Sequence, residues 1–396
     1  MNEVELSELD DLSERHSELR LRFFSTEEVG AAQRSRLSVG PGCYEWWQFE
    51  AFDEEGTGIC VGIYNGDPFH PLYRRAIRRH LGGQATEARM LQPSSFPSVR
   101  ISVFVRKNLI ARAHRMYAAR GMEVSGEGSK WSVRAEGVIL AADDDGGWEL
   151  EIEESGIERL GFMGFVRPDR RGGGSLLRVS LRMESMFRTV TVGRASMPDS
   201  PNGSTHDWLV VCPAGRVMGS IEVVGGEGEA KRKLELRGAW GTLNHFWGTG
   251  LIGDRMRRWY RGTFLWDDGA VIAELPVIQK YIQLAGTLMY FSPGVVPRIY
   301  RCDHQRASAF QRSSWLLAHP LSMKWESARE GVAIIFPVKR LDDAQPFRGM
   351  ALCETEFSME SETEDFSSGA GLGMIEILQP GRTDWWLWRR YLSSRG

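Results

Sequence analysis

Short alternations of apolar and polar residues recur along this chain from residue 40 almost to its C-terminus. Gly, Pro or Asp-Gly separates them about every ten residues, and clear examples are SVRISVFVRK, SLLRVSLRMES and AVIAELPVI. A period of two residues is typical of β-strands with one buried face. Convincing crossover helices are few, although HPLYRRAIRRHLGG (70–83) has a helical pattern that ends in glycine. We therefore predict an all-β fold of antiparallel barrels or sandwiches with short helical insertions.

The length of the chain favours two domains. At 396 residues it exceeds the size at which one hydrophobic core stops growing. The Trp-Asp-Asp-Gly segment near residue 268 has turn character and is the predicted boundary. The predicted division is a partly helical N-terminal tail, 1–39, a first β-domain, 40–268, and a second β-domain, 269–396.

Charge and composition exclude several classes of protein. The 49 basic and 52 acidic residues give a net charge of −3, which offers no general attraction to nucleic acid or to an anionic membrane. No apolar run approaches the roughly 20 residues that a membrane-spanning helix needs. The acidic N-terminal segment lacks the basic and then apolar order of a signal peptide, so we predict a cytoplasmic protein.

Neither the cysteines nor the histidines have the spacing of a metal site. The five cysteines are scattered and form no CxxC pair, and the histidines show no HxH or HExxH spacing. These patterns argue against a disulfide framework and against bound zinc. No GxSxG motif marks a serine nucleophile either.

The stretch GTLNHFWGTG (241–250) places polar and aromatic side chains where a structural strand would have Val and Ile. On a strand, His245 and Trp247 share one face while Asn244 points to the other. His245 fits a hydrogen-bonded core histidine as well as a catalytic base. The spacing alone leaves both interpretations open.

Two further segments bring aromatic side chains to strand faces. In CYEWWQFE the alternation puts Trp46 and Gln48 on one face and Trp47 on the other. The segment RRWYRGTFLW adds Trp259 and Tyr260. Ordinary barrel packing accounts for most of these rings, and a ligand pocket is the alternative for the others.

Glu274 interrupts the apolar run AVIAELPVI. On alternation alone its side chain faces solvent. The alternative is a buried carboxyl group with a raised pKa, which is the state that acid catalysis in a dry pocket requires.

Two distant segments resemble one family. The opening of the bacterial carotenoid 1,2-hydratases (hydroxyneurosporene synthases) and their AttH-like relatives is similar to GCYEWWQFEAFDEEGTGICVGIYNGDPFHPLYRRAIRR, and the second family signature is similar to GTLNHFWGTGLIGDRMRRWYRGTFLWDDGAVIAEL. The resemblance covers roughly residues 40–280. It implies two consecutive lipocalin-like β-domains and a cofactor-free pocket for long, apolar, unsaturated substrates. Members hydrate carotenoid end groups, and fungal relatives act as Diels–Alderases on polyenes.

The resemblance also implies site residues. A His and a Trp that act in the hydratases match His245 and Trp247, the family carboxylate falls at Glu274, and the family tyrosine falls at Ile272. Where the hydratases have His-Asp-His, this chain has Leu-Asn-His at 243–245. The loss of one imidazole and one carboxylate argues against plain hydration.

We therefore predict a cofactor-independent cyclase of a hydrophobic polyene of isoprenoid or polyketide origin. Holding a flexible substrate in one folded shape supplies about 7–11 kcal/mol at best. An acid or a hydrogen-bond donor would assist ring closure, and a base would remove a proton afterwards. The predicted catalytic residues are His245, Glu274 and Asn244. The predicted substrate-binding residues are Trp46, Trp47, Gln48, Tyr64, Trp247, Trp259 and Tyr260.

Two other functions stay open at this point. One is a hydratase-like addition of water to a terminal C=C bond. The other is a lipocalin-type carrier that binds a lipid without turnover. In each case the expected partner is a hydrophobic small molecule, with no nucleic acid, metal or cofactor. A transient membrane contact for collecting substrate, and the oligomeric state, are left open.

Overall fold

The computed structural model describes most of the chain from residue 40 onward, and the predicted tail, 1–39, lies outside the described residues. Within the described part there are 23 β-strands, one α-helix and one short 3-10 helix, Pro93–Ser95. The described residues are 40–83, 91–126, 130–159, 175–187, 205–225, 231–250, 252, 256–267, 269–277, 286–293, 297–302, 304–307, 310–313, 317–345, 347–359, 367–380 and 382.

The first sheet contains 11 strands from the N-terminal half of the chain. They are β1 (Tyr44–Phe52), β2 (Gly58–Asn65), β3 (Ser98–Val105), β4 (Asn108–Met116), β5 (Met122–Ser125), β6 (Ser132–Ala135), β7 (Val138–Ala142), β8 (Trp148–Arg159), β9 (Ser175–Ser185), β10 (His206–Val224) and β11 (Arg232–Gly248). Their order is β4-β3-β2-β1-β11-β10-β9-β8-β7-β6-β5. The sheet curls far enough for Ala111 on β4 to pair with Arg159 on β8. This curl encloses the first hydrophobic core, which contains Trp47, Trp131 and Leu243.

The second sheet contains ten strands, and a separate hairpin lies beside it. The strands of this half are β12 (Arg258–Trp266), β13 (Gly269–Val277), β14 (Gly286–Phe291), β15 (Arg298–Cys302), β16 (His304–Ala307), β17 (Phe310–Arg312), β18 (Ala318–Pro320), β19 (Ser322–Ser327), β20 (Val332–Pro337), β21 (Asp343–Ala344), β22 (Arg348–Met359) and β23 (Ser367–Leu378). The sheet order is β15-β14-β13-β12-β23-β22-β20-β19-β16, with β21 paired to β22, and β17 and β18 form the hairpin. Because β15 and β19 approach each other across the opening, the sheet nearly closes around a second core. The prediction of two all-β, lipocalin-like domains is confirmed.

The chain passes from the first sheet to the second between Gly248 and Arg258. The predicted boundary at 268 falls in the turn between β12 and β13, and both of these strands belong to the second sheet. A tight turn between two paired strands has the same Asp-Gly composition as a turn between domains, so composition alone does not separate the two.

The helical pattern at 70–83 forms helix α1 (Pro71–Leu81). His70 caps it, because its Nδ1 accepts a hydrogen bond from the backbone N–H of Leu72 at 3.2 Å. Tyr73 and Ile77 form its buried face. The described part of the chain contains no helix with the length and apolar character that a membrane span needs.

The two sheets pack against each other through a contact layer, which we call the intersheet layer. It consists of the side chains of β1, β2, β10 and β11 that face the second sheet and those of β12, β13, β22 and β23 that face the first. An aromatic cluster occupies one part of it and includes Trp46, Phe246 and Trp259. A smaller apolar cluster with Phe52 and Leu352 occupies another part. Buried charged side chains, which form ion pairs with one another, lie between the two clusters.

Candidate functional site

Strand alternation divides the predicted site residues between two environments. β1 and β11 are neighbours, with Trp46 opposite Phe246 and Trp47 opposite His245. Along β1 and the part of β11 that pairs with it, 240–248, even-numbered side chains face the second sheet and odd-numbered side chains point into the first core. Asn244 and His245 are adjacent in sequence and therefore lie in different environments.

His245 lies inside the first sheet and is fully buried. Its Nε2 is 2.8 Å from Oε1 of Glu45, and its ring stacks on Trp47 with a centroid distance of 4.6 Å. The ring of Trp247 is 4.9 Å away on the same side. A carboxylate and two indoles thus surround the imidazole, as they would a structural core histidine.

Glu274 lies in the intersheet layer and is 7 % exposed. Its Oε1 accepts a hydrogen bond from Nε1 of Trp259 at 2.9 Å. Burial raises the pKa of this carboxyl to about 8, against the opposing effect of the nearby Arg261 guanidinium and the indole hydrogen bond. The solvent-facing interpretation of Glu274 is therefore wrong, because the first sheet covers the face of β13 on which this side chain lies.

The structure does not bring His245 and Glu274 into one site. Glu274 shares its face of β13 with Ile272, which packs in the aromatic cluster between the sheets. His245 points away from that cluster, into the first core. The two side chains lie on opposite sides of β11, so this geometry contradicts their predicted joint action on one substrate.

Aromatic rings surround the Trp259–Glu274 pair. The ring of Trp259 makes edge contacts with Phe246 at 5.4 Å, with His206 at 5.1 Å and with Trp46 at 6.4 Å, measured between centroids. Trp46 in turn stacks on Phe246 at 4.5 Å. These π faces form an apolar lining that favours cations.

Two polar nitrogen atoms in this lining have no hydrogen-bond partner among the described residues. They are Nε1 of Trp46 and Nε2 of His206, and both side chains are more than nine-tenths buried. Burial lowers the pKa of His206 to about 4, so its ring is neutral at pH 7. Nδ1 of His206 lies 2.9 Å from the hydroxyl of Tyr44. Unpaired buried polar groups are costly, and they are expected where a ligand completes the hydrogen bonding.

A glycine allows the Tyr44–His206 contact to form. Gly248 is opposite Tyr44 on the neighbouring strand, and a Cβ atom there would lie 2.5 Å from the Tyr44 hydroxyl. Any larger residue would displace the tyrosine. The second glycine of GTLNHFWGTG is thus explained by the approach of this side chain.

The two predicted amide donors already have protein partners. Oδ1 of Asn244 accepts from Nε1 of Trp208 at 3.1 Å, and its Nδ2 donates to Thr242 at 3.4 Å. Nε2 of Gln48 donates to Glu50 and, at 3.2 Å, to Glu376. Both amides lie in the intersheet layer, where their contacts hold neighbouring side chains in place.

The two predicted tyrosines lie in different parts of the molecule. Tyr64 belongs to the intersheet layer, where its ring stacks on Trp46 at 5.8 Å and Arg100 lies 5.1 Å from its centroid. Tyr260 belongs to the second core, and Arg258 donates to its hydroxyl at 3.4 Å. Of the predicted residues, the structure groups in the intersheet layer Trp46, Gln48, Tyr64, Asn244, Trp259 and Glu274.

Four charged side chains link the sheets at the centre of the layer. Arg261 on β12 donates to Oε1 of Glu50 on β1 at 2.5 Å, and its Nε lies 3.8 Å from Glu376. Arg348 on β22 pairs with Glu376 on β23 and donates to the thiol of Cys60 at 3.3 Å. We call Glu50, Arg261, Arg348 and Glu376 the charge network.

The two carboxyl groups of the charge network differ in acidity. Burial and the neighbouring Glu376 raise the pKa of Glu50 despite the opposing Arg261. Arg348 and Arg261 together lower the pKa of Glu376 in spite of its burial. Of the two carboxyl groups, Glu50 therefore holds a proton more readily than Glu376.

A cleft opens beside Glu50, Phe52 and Leu352. The volume that water can occupy in it is about 30 Å³, within about 370 Å³ of empty space that includes open solvent. Side chains from β1, β11, β12, β22 and β23 line it. A second depression, of about 290 Å³, lies between β20, β22 and β23 and is lined by Ala333, Ile335 and Phe357. Neither His245 nor Glu274 lines either space.

Comparison with solved structures places this arrangement in a known fold. An AttH candidate from Nitrosomonas europaea matches with a TM-score of 0.51 at 13% identity, over 86% of this chain and 93% of that chain. The chain shares its fold. The sequence resemblance to AttH-like proteins is thus confirmed at the level of the fold. No protein-family description and no curated protein matches the sequence.

Two further structures are similar over most of their length. CghA with Sch210972 gives a TM-score of 0.49 at 12% identity, over 86% of this chain and 89% of that chain. Kievitone hydratase from Nectria haematococca gives 0.44 at 8% identity, over 92% and 94%. Structural similarity this distant gives no information about activity.

Sequence reasoning missed several residues of the layer. Glu50 continues the face of Trp46 and Gln48 by one more step of two, so alternation could have found it. His206 had no such signal, because it opens a long strand without a recognisable motif. Arg348 and Glu376 come from strands more than 280 residues along the chain from their partners Cys60 and Gln48.

Proposed function

We propose that the chain is a cofactor-free cyclase that acts on an apolar, unsaturated small molecule in the aromatic part of the intersheet layer. The observation that carries this proposal is the carboxyl group of Glu274, which is buried beside the indole of Trp259 and has a pKa raised to about 8. At pH 7 this group is protonated. A neutral acid in an apolar site is the group needed to protonate a C=C bond or to donate a hydrogen bond to a carbonyl.

The rings around Glu274 suit the intermediate that protonation would create. A carbocation gains about 2 kcal/mol from a desolvated indole face. Trp46 and Trp259 supply two indole rings, and Phe246 adds a phenyl ring in contact with both. The same rings hold a flexible chain in a folded shape, which lowers the entropy that ring closure loses.

His206 takes the basic role that the sequence assigns to His245. Its neutral ring lies 5.1 Å from Trp259, and its Nε2 has no protein partner. In the proposed reaction Glu274 gives a proton to the substrate, a C–C bond forms, and the cation loses a proton to His206. The product is an isomer of the substrate, and no oxidant, reductant or water is consumed.

The test is incubation of the purified protein with candidate polyenes, followed by product mass. We expect an unchanged mass in H2O and the uptake of one deuterium in D2O. Glu274→Gln should lower turnover by about 100-fold or more, since general acid catalysis contributes about 10²–10⁴-fold. Glu354→Gln, at an exposed position on β22, is the matched control and should retain turnover.

Other outcomes would identify the alternatives. A product heavier by one water, with oxygen from solvent, would indicate a hydratase and contradict the cyclase. Binding of the polyenes without conversion would indicate a carrier. Equal turnover of Glu274→Gln and the parent protein would remove Glu274 from the reaction.

A further inference from the structure

The cleft beside Glu50 has the composition of a ligand site. Its walls come from both sheets and are mostly apolar: Phe52, Trp240, Leu265, Leu352, Leu372 and Met374. Its water-accessible volume of about 30 Å³ holds about two oxygen-sized groups, because one water needs about 10–15 Å³. Apolar walls with a few convergent polar groups are typical of sites for small organic molecules.

An unpaired polar atom lines this cleft. Thr263 is 5 % exposed, and its hydroxyl has no hydrogen-bond partner among the residues that the structure describes. A buried hydroxyl without a partner is costly, whereas valine would have the same shape without that cost. The threonine is therefore better explained by a partner from outside the chain.

Two more polar side chains line the cleft. Thr242 donates to Oε2 of Glu50 at 3.3 Å and accepts from Asn244. Arg261 donates to Oε1 of Glu50 and holds the carboxyl in place. Of these three lining side chains, Thr263 has the hydroxyl that is available to a ligand.

We propose that this cleft binds an elongated apolar molecule that ends in a hydroxyl group. The hydroxyl exchanges hydrogen bonds with Thr263, while the apolar part lies against the walls. This inference concerns binding alone and does not depend on the reaction proposed for Glu274.

The charge of the lining selects a neutral end group. The side chains that line the cleft include two acidic residues, Glu50 and Asp53, and no basic one. A carboxylate would meet these acidic groups, and the nearby Arg261 is already paired with Glu50 and Glu376. An ammonium group would enter a space close to Arg261, which already pairs with Glu50. A hydroxyl group avoids both costs, because it donates and accepts hydrogen bonds without carrying charge.

Calorimetric titration of the full chain with 1-octanol, octanoate and octylamine tests this proposal. We expect 1-octanol to bind at least tenfold more tightly than the two charged probes. Thr263→Val should weaken 1-octanol binding by about tenfold, the effect of one lost hydrogen bond. The variant should remain folded, because the hydroxyl that it removes has no protein partner.

Thr287→Val is the matched control. Thr287 is also buried, lies on β14 and does not line the cleft, so this variant should bind 1-octanol like the parent protein. If octanoate or octylamine binds as tightly as 1-octanol, the assignment of a neutral end group is wrong. Unchanged 1-octanol affinity in Thr263→Val would overturn the site. Neither measurement depends on turnover, so the proposal for the cleft and the proposal of a cyclase can be disproved independently.

Discussion

The interior of the first sheet and the layer between the sheets each contain a buried titratable side chain beside indole rings. In the first core, His245 contacts Glu45 and stacks on Trp47, so acid and base lie together. In the intersheet layer, Glu274 contacts the N–H of Trp259, and burial keeps its carboxyl protonated to about pH 8. The His245–Glu45 contact therefore contributes to the stability of the fold. Glu274 is instead kept as an uncharged acid, and it lowers the stability of the fold once it ionises.

The largest expected effect concerns the charge network of the layer. Arg261→Met would leave Glu50 and Glu376 without one of their buried counter-ions, and we expect a loss of about 3–5 kcal/mol in the free energy of unfolding. Urea denaturation measures it. Arg182→Met is the control, because Arg182 is 41 % exposed and pairs with Asp143 on the surface, and this variant should be nearly as stable as the parent protein. Equal losses in the two variants would show that the network does not hold the sheets together.

The second prediction compares how much His245 and Glu274 each contribute to the free energy of unfolding. His245→Ala should lower the free energy of unfolding by roughly 2–4 kcal/mol, because it empties a packed site and removes the partner of Glu45. Glu274→Gln at pH 6 should change it by less than about 1 kcal/mol, since the amide has the shape of the protonated acid. Urea denaturation of both variants tests the contrast. A well-folded His245→Ala protein that loses turnover would restore the catalytic role predicted from the sequence.

The smallest effect is a difference in pH dependence. Glu274 holds its proton to about pH 8 in the folded chain, whereas its ordinary pKa is 4.5. Between these values unfolding releases a proton, so this group makes stability fall as pH rises, by about 1 kcal/mol per unit. Denaturation at pH 6, 7 and 8 should show this slope in the parent protein relative to Glu274→Gln. Parallel profiles would mean that Glu274 is already ionised at pH 6.

The period of two residues was enough to predict the all-β fold and to assign neighbouring side chains to opposite faces. Trp46 and Trp47 do lie on different sides of β1, as do Asn244 and His245 on β11. Alternation does not say which side a second sheet will cover. For that reason the sequence could not predict that Glu274 is buried or that it is separated from His245.

Long-range pairing explains the rest of what the sequence did not predict. Glu50 and Arg261 are 211 residues apart, and Gln48 and Glu376 are 328 apart. No local pattern indicates such contacts without homologous sequences. The predicted contact with a membrane stays a prediction.

The position of β1 has a consequence for synthesis on the ribosome. β1 is made first among the described strands, yet it pairs with β11 and cannot complete this pairing until Gly248 has left the exit tunnel. On its outer face, Gln48 pairs with Glu376, which is made near the end of the chain. A nascent chain with such late partners exposes apolar surface during translation, and this exposure favours aggregation until the last strands are made.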